Sequence, residues 1–126
     1  MKIFKKIINI YKKIEINFIY IEKYINIWKM GILYKYFGPS IYLLVLDMFI
    51  ENPDKMINLR EISRLVNKNP GSVTRVLSKL VKNEFLKQIK IGKVSYVYSL
   101  NIENEKVKLL IEFYKKLKEI EEKTLK

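Results

Sequence analysis

Hydroxyls, carboxylates, lysines and three arginines are the main reactive groups of this sequence, because its 126 residues include no cysteine and no histidine. That excludes disulfides, thiolate or imidazole metal ligands, cysteine nucleophiles and histidine-based triads. No dinucleotide-loop, phosphate-loop or nucleophile-elbow glycine motif occurs. The acidic residues read as scattered over helix surfaces rather than converging as a pair. Bond-making chemistry is therefore not expected, and no catalytic residue, metal ligand or cofactor is assigned. One group stands out: Gly71, with no side chain to block an approach, and the polar Ser72, Thr74, Arg75, Ser78, Lys79 and Lys82. Hydroxyls that donate and accept, a planar guanidinium fork and two ammonium groups suit reversible hydrogen bonding to an anionic, acceptor-rich surface.

Such a face needs a helix beneath it. Asn69-Pro70 offers an N-cap followed by proline at the first helical position, a strong start signal. The spacing predicts a helix from Pro70 to about Asn83 with Val73, Val76, Leu77 and Leu80 inward, which leaves the polar group outward. Upstream, Asn58-Leu59-Arg60-Glu61 has the shape of a capping box with Asn in place of Ser or Thr. A helix then runs to about Val66, with Leu59, Ile62, Leu65 and Val66 inward and Arg60 and Arg64 four apart on the outer face. Asn67-Lys68-Asn69 is a turn. Downstream, Leu86 to Ile91, Gly92-Lys93, and Val94 to Leu100 read as a β-hairpin whose Gly92 supplies the positive φ of a tight turn.

The rest of the chain is read by spacing rather than residue type. It holds 20 isoleucines and no alanine, the set that AT-rich codons encode, so isoleucine is a weak vote for strand. Ile3, Ile7, Ile10, Ile14, Phe18, Ile21, Ile25, Trp28 and Ile32 recur every three or four residues and predict a helix from residue 2 to about 36, although Ile14 to Tyr20 alternate as a strand would. A second row (Phe4, Ile8, Tyr11, Ile19) makes it apolar on more than one side. It must pack on the rest of the chain, on a second copy or on a membrane surface. Gly38-Pro39-Ser40 breaks the pattern, and Ser40 or Gly38 caps a helix over 40–51 with Ile41, Leu44, Val45, Met48 and Phe49 on one face. Asn52-Pro53-Asp54 stops it, and Met56 and Ile57 make a very short strand. A last helix begins near Ile102, capped by Asn101 or Asn104, with Val107, Leu110, Phe113/Tyr114, Leu117 and Ile120 as its stripe. Glu112/Lys116 and Glu119/Lys123 sit four apart in the favourable order.

Helix, short turn, helix and hairpin in that order define a winged helix-turn-helix. The expected fold is mostly α with a small β-hairpin wing and long terminal helices. Residues 1–37 form an N-terminal helical arm, 38–101 the winged core and 102–126 a C-terminal helix, in one compact domain. The segment from Asn58 to Asn101 resembles the DNA-binding core of MarR-like and ArsR-like winged-helix transcriptional regulators. The likeness rests on Ser72-Val73-Thr74-Arg75-Val76-Leu77-Ser78-Lys79-Leu80, on Phe85-Leu86 entering the hairpin, on Gly92 at its tip and on Tyr96 and Tyr98 in the return strand. Those families place Gly where this chain has Asn83-Glu84, and Asn83 is expected to take the left-handed cap. The wing tip, with Gly92 and Lys93 alone, is short of the arginines that reach deep into a minor groove.

The resemblance implies a sequence-specific regulator of double-stranded DNA, with the helix near 70–83 in the major groove and the 86–100 hairpin as wing. Arg75 suits O6 and N7 of guanine, Ser72 and Thr74 suit a phosphate or a base edge, and Gly71 lets the backbone approach. Arg60, Arg64, Lys87, Lys90 and Lys93 are candidate phosphate contacts. The plainer reading leaves Arg75 a solvated residue and the hairpin lysines as guards of an edge strand. By resemblance the terminal helices entwine into a homodimer, and a phenolic or drug-like effector is suggested, though no residue here points to one. Formal charge is +12, and residues 60–93 hold nine basic and two acidic side chains, where a duplex would lie. Residues 1–37 carry eight lysines and two glutamates. They lack the apolar core and cleavage site of a signal peptide, and no run approaches the roughly 20 apolar residues that span a bilayer. A soluble, cytoplasmic protein is expected. Two rivals stand beside the regulator: a winged helix that docks proteins in a larger assembly, and a peripheral membrane protein lying on its basic N-terminal helix.

Overall fold

The computed structural model describes Ile3, Lys5 and residues 31–124. From Gly31 onward the elements are α1 (Ile32–Phe37), α2 (Ile41–Glu51), β1 (Ile57–Asn58), α3 (Leu59–Val66), α4 (Pro70–Lys82), β2 (Leu86–Ile91), β3 (Ser95–Leu100) and α5 (Glu105–Thr124). The order and the small antiparallel sheet make a winged helix-turn-helix, as the sequence pattern predicts. Most of the expected N-terminal helix, including Trp28, lies outside the described residues. Where its end is described, the continuous helix is corrected: Gly31 is extended (φ −67°, ψ 163°) and α1 begins afresh at Ile32.

Local chemistry sets most boundaries. Ser40 is the cap of α2, its Oγ accepting the N–H of Leu43. Asn58 caps α3 by accepting the N–H of Glu61 at 2.9 Å, and Asn69 caps α4 by accepting the N–H of Gly71 at 2.7 Å. Asn67 turns the chain between α3 and α4 in the left-handed conformation (φ 53°), which asparagine tolerates well. The left-handed residue after α4 is Glu84 (φ 65°), whereas Asn83 has φ −81°. This corrects the expected cap at Asn83. The N–H of Phe85 bonds Leu80 O and that of Glu84 bonds Val81 O, both at 3.0 Å, a Schellman closure whose geometry places the positive φ at position 84. At the other end of the wing, Asn104, one of the two expected caps, accepts the N–H of Lys106, and α5 begins at Glu105, three residues after Ile102, which is left exposed in the turn.

The core lies between the helices and one face of the sheet. Val45, Phe49, Ile62, Val73, Leu77, Leu80 and Val107 are essentially inaccessible. Each such aliphatic side chain contributes about 1.5–3 kcal/mol by leaving water. α2 is buried on more than the single face its spacing suggested: Leu46, Asp47 and Ile50 are also covered, because α1, α3 and α4 all pack around it. Leu65, read as inward, is 49 % exposed, since Ile62 and Val66 fill the inner face of the short α3. Along α5 the buried row is Val107, Leu110, Tyr114 and Leu117. Phe113 and Ile120, assigned to that row by spacing, point outward with Leu109.

The sheet order is β1-β3-β2, antiparallel throughout. Ile57 pairs with Tyr98, Leu86 with Leu100, Gln88 with Tyr98, and Ile91 with Ser95. The last pair encloses Gly92, Lys93 and Val94, so the wing turn has three residues rather than the two expected, with Gly92 at φ 71°. Leu86, Leu100 and Ile57 bury the inner face, and Tyr98 packs against the core beside them.

Candidate nucleic-acid interface

α4 carries the candidate face. Its buried Val73, Leu77 and Leu80 fix the helix against α2 and α3, and its C-terminal end leads directly into β2. That anchoring turns Gly71, Thr74, Arg75, Ser78, Lys79 and Lys82 to solvent, with Ser72 half-buried among them. The structure brings these seven sequence-selected residues together on one helix. Arg60 and Arg64 are exposed on α3, and Lys87, Lys90 and Lys93 are exposed on the wing, so each cation stays at the surface.

The cations differ in how free they are. Arg75 forms no ion pair among the described residues, nor do Arg60, Lys79, Lys82, Lys90 or Lys93. Arg64 is held by Glu61, its Nε donating to Oε2 at 3.1 Å, and this bond keeps the Glu61 carboxyl below its usual range. The second half of the expected capping box is therefore absent: Glu61 turns to Arg64 instead of back to Asn58. Lys87 lies 3.5 Å from Glu103 at the base of the wing.

The hydroxyls on α4 have a definite polarity. Thr74 Oγ1 donates to Pro70 O at 2.8 Å, and Ser78 Oγ donates to Thr74 O at 3.0 Å. Sequence alone left both free to donate or accept. The signal was their position four residues after a carbonyl of the same helix, where serine and threonine bond back.

The wing has an apolar side that the sequence reading did not single out. Leu86 and Leu100 face the core, so Ile89, Val97 and Ile91 face away from it, in the register that pairs Ile89 with Val97. Val94 at the tip is 85 % exposed. Tyr98 is tied to Gln88 through its hydroxyl, whereas Tyr96 is 41 % exposed.

A second polar cluster corrects the expectation that the acidic residues stay scattered. Asp47, 2 % exposed in the middle of α2, accepts the N–H of Leu33 at 3.0 Å and of Tyr34 at 2.8 Å. One turn later Glu51 accepts the hydroxyl of Tyr114 at 2.6 Å and faces Lys118 at 3.4 Å. Tyr114 in turn accepts the N–H of Ile32 at 3.5 Å, and Lys35 pairs with Glu121. Burial lifts the Asp47 carboxyl to about 6 against the lowering effect of its two N–H donors. Burial and the Glu51 carboxylate also raise the Tyr114 phenol, keeping it a donor. The cluster ties α1, α2 and α5 together. Its sequence signal was a lone aspartate inside an otherwise apolar run from Ile41 to Ile50.

Among the described residues no helix is long and apolar enough to cross a membrane, and no group of three or more acidic side chains is placed to hold a metal ion. No protein-family model matches the chain, and no curated protein matches it. Among solved structures the chain is similar to a point mutant of Lactococcus lactis ZitR, with 20 % identity and a TM-score of 0.48. The match covers 71 % of this chain and 57 % of that one, so this chain spans little more than half the length of that neighbour.

Proposed function

We propose that this chain is a sequence-specific double-stranded-DNA-binding transcription regulator that acts as a homodimer. The observation that carries the reading is the outer face of α4. It is a helix anchored by Val73, Leu77 and Leu80, with an N-terminal turn of small residues and an exposed Arg75 at its open side, in no ion pair among the described residues. A helix so built fits the roughly 12 Å major groove, where the guanidinium fork matches O6 and N7 of guanine. Arg60 and Arg64 on α3, and Lys87, Lys90 and Lys93 on the wing, then lie where phosphates flank the groove. The protein acts by occupancy: once bound, it blocks polymerase or recruits it.

The dimer reading is supported by what α5 and α1 leave uncovered. Leu109 is 67 %, Phe113 44 % and Ile120 61 % exposed along one side of α5. Phe37 continues the patch, its ring centroid 6.4 Å from that of Phe113. Large apolar side chains grouped this way mark an interaction face. A two-fold pair would present two α4 helices to half-sites about one helical turn apart.

Selection of bound duplexes from a random pool tests both parts. A palindrome with half-sites about 10 base pairs apart is the expected product. Recovery of sequences no different from the starting pool would exclude a specific reader, and recovery of a single asymmetric site would exclude the symmetric dimer.

A further inference from the structure

The hydrogens of Thr74 and Ser78 are already committed. Thr74 Oγ1 gives its hydrogen to Pro70 O, and Ser78 Oγ gives its hydrogen to Thr74 O. Both residues are exposed on the open face of α4. A hydroxyl whose hydrogen points into its own helix presents only lone pairs outward. It complements a donor, and it is a poor partner for a phosphate, which offers acceptors alone.

In the major groove the donors are few. Adenine offers N6–H and cytosine N4–H; the remaining polar groups, N7, O6 and O4, are acceptors. We propose that Thr74 and Ser78 are specificity residues that accept hydrogen bonds from the exocyclic amino groups of adenine or cytosine. This rests on the reading of α4 as the major-groove helix and goes beyond it by assigning the polarity of two contacts. Arg75, a donor only, faces acceptors beside them. The three side chains therefore form an acceptor–donor–acceptor pattern on neighbouring positions of one helix.

The spacing fits a duplex. Residues four apart advance about 6 Å along a helix axis, and two base-pair steps advance about 7 Å. With α4 along the groove, the two hydroxyls meet base pairs about two steps apart. Rotating either hydroxyl to donate outward forfeits its bond to the helix carbonyl, so an acceptor on the base gains little in exchange.

The test uses the full chain and the duplex it enriches from a random pool. Each position is then replaced in turn by an analogue lacking one group: purine for adenine and 2-pyrimidinone for cytosine remove the amino group, 7-deazapurines remove N7, and uracil removes the thymine methyl. At one position amino removal weakens the wild-type protein about fivefold, the size of one net hydrogen bond, and leaves Thr74→Val unchanged. At a second position, about two steps away, the same holds for Ser78→Ala. Each variant keeps the helical content and the salt-dependent non-specific binding of the wild type, which separates lost reading from lost folding. The proposal is overturned if the loss in Thr74→Val follows the 7-deaza or uracil substitution, or if both variants bind every analogue as the wild type does. Failure of the wild-type chain to enrich any sequence overturns instead the underlying reading of α4.

Discussion

Asp47, in the middle of α2, caps a different helix: its Oδ2 accepts the backbone N–H of Tyr34 in the first turn of α1 at 2.8 Å. Leu33 donates to Oδ1 of the same carboxylate at 3.0 Å. Gly31 holds the N-cap position and has no side chain for the task. A buried carboxylate brings its own cost, and desolvation lifts its pKa from 3.8 to about 6. The folded chain thus holds this proton more tightly than the unfolded chain. The stability linked to the group is fully present below about pH 4 and is lost as pH rises through 6. It amounts to about 3 kcal/mol. Asp47→Asn cannot titrate, so the wild-type protein should lose stability relative to this variant between pH 4 and 7.5. Urea unfolding at several pH values measures the difference, and a gap that stays constant with pH would refute the assignment.

The same contact fixes residue 31. A Cβ placed on Gly31 runs into the Cβ, Cγ and Oδ2 of Asp47. Gly31→Ala must push the carboxylate away and leave the N–H groups of Leu33 and Tyr34 without their acceptor. Each unsatisfied buried group costs about 1–3 kcal/mol, so the variant should lose about 2–4 kcal/mol of unfolding free energy. In an Asp47→Gly background the clash and the cap are both already gone, because glycine lacks the Cβ as well as the carboxylate. The alanine at 31 should then cost far less, and a double-mutant cycle reports that coupling. Additive effects would mean that the two positions act separately.

The elements from Ile41 onward were legible because their signals are local. Asn58, Asn69-Pro70 and Gly92 mark a cap, a helix start and a positive φ through their own chemistry, and each does so in the structure. Val73, Leu77 and Leu80 declare the inner face of α4 by spacing alone. What failed was set by neighbours distant in sequence. Leu65 and Ile120 keep helical spacing with residues that are buried, yet no element among the described residues covers them. Asp47 looked like surface charge because its partners are backbone groups 13 and 14 residues earlier. On the candidate interface, the side chains and their face were legible, while the direction of the Thr74 and Ser78 hydrogens needed the helix itself.

Glu84 occupies a left-handed position that L side chains enter at a cost of about 1 kcal/mol. Two contacts offset it. Asn101 donates to Glu84 O at 3.0 Å, and Asn104 donates to its carboxylate at 3.3 Å. Only the second is lost in Glu84→Gly, because the first uses the backbone. Exposed single hydrogen bonds contribute little, so the glycine variant should be more stable by about 0.5–1 kcal/mol. Glu84→Gln keeps the side-chain acceptor but not the relief, and should stay near the wild type. Thermal unfolding of the three proteins orders them, and a glycine variant less stable than the glutamine one would contradict the strain argument.

Arg75 and Lys90 are both exposed, and neither forms an ion pair among the described residues, yet the proposed mode gives them different work. Arg75 sits on the open face of α4, where in that mode a guanidinium would reach base edges. Lys90 lies on β2 opposite Tyr96, a place that the proposed mode puts beside the groove rather than in it. Arg75→Ala should therefore cost about 1–3 kcal/mol on the selected duplex, relax one base position, and change non-specific binding much less. Lys90→Ala should weaken all duplexes alike and lower the slope of log affinity against log salt by about one. Binding isotherms at three salt concentrations, on the selected duplex and on a scrambled one, separate the two effects. If Lys90→Ala weakens only the selected duplex, or Arg75→Ala weakens both equally, the two residues do not divide base reading and phosphate contact as proposed.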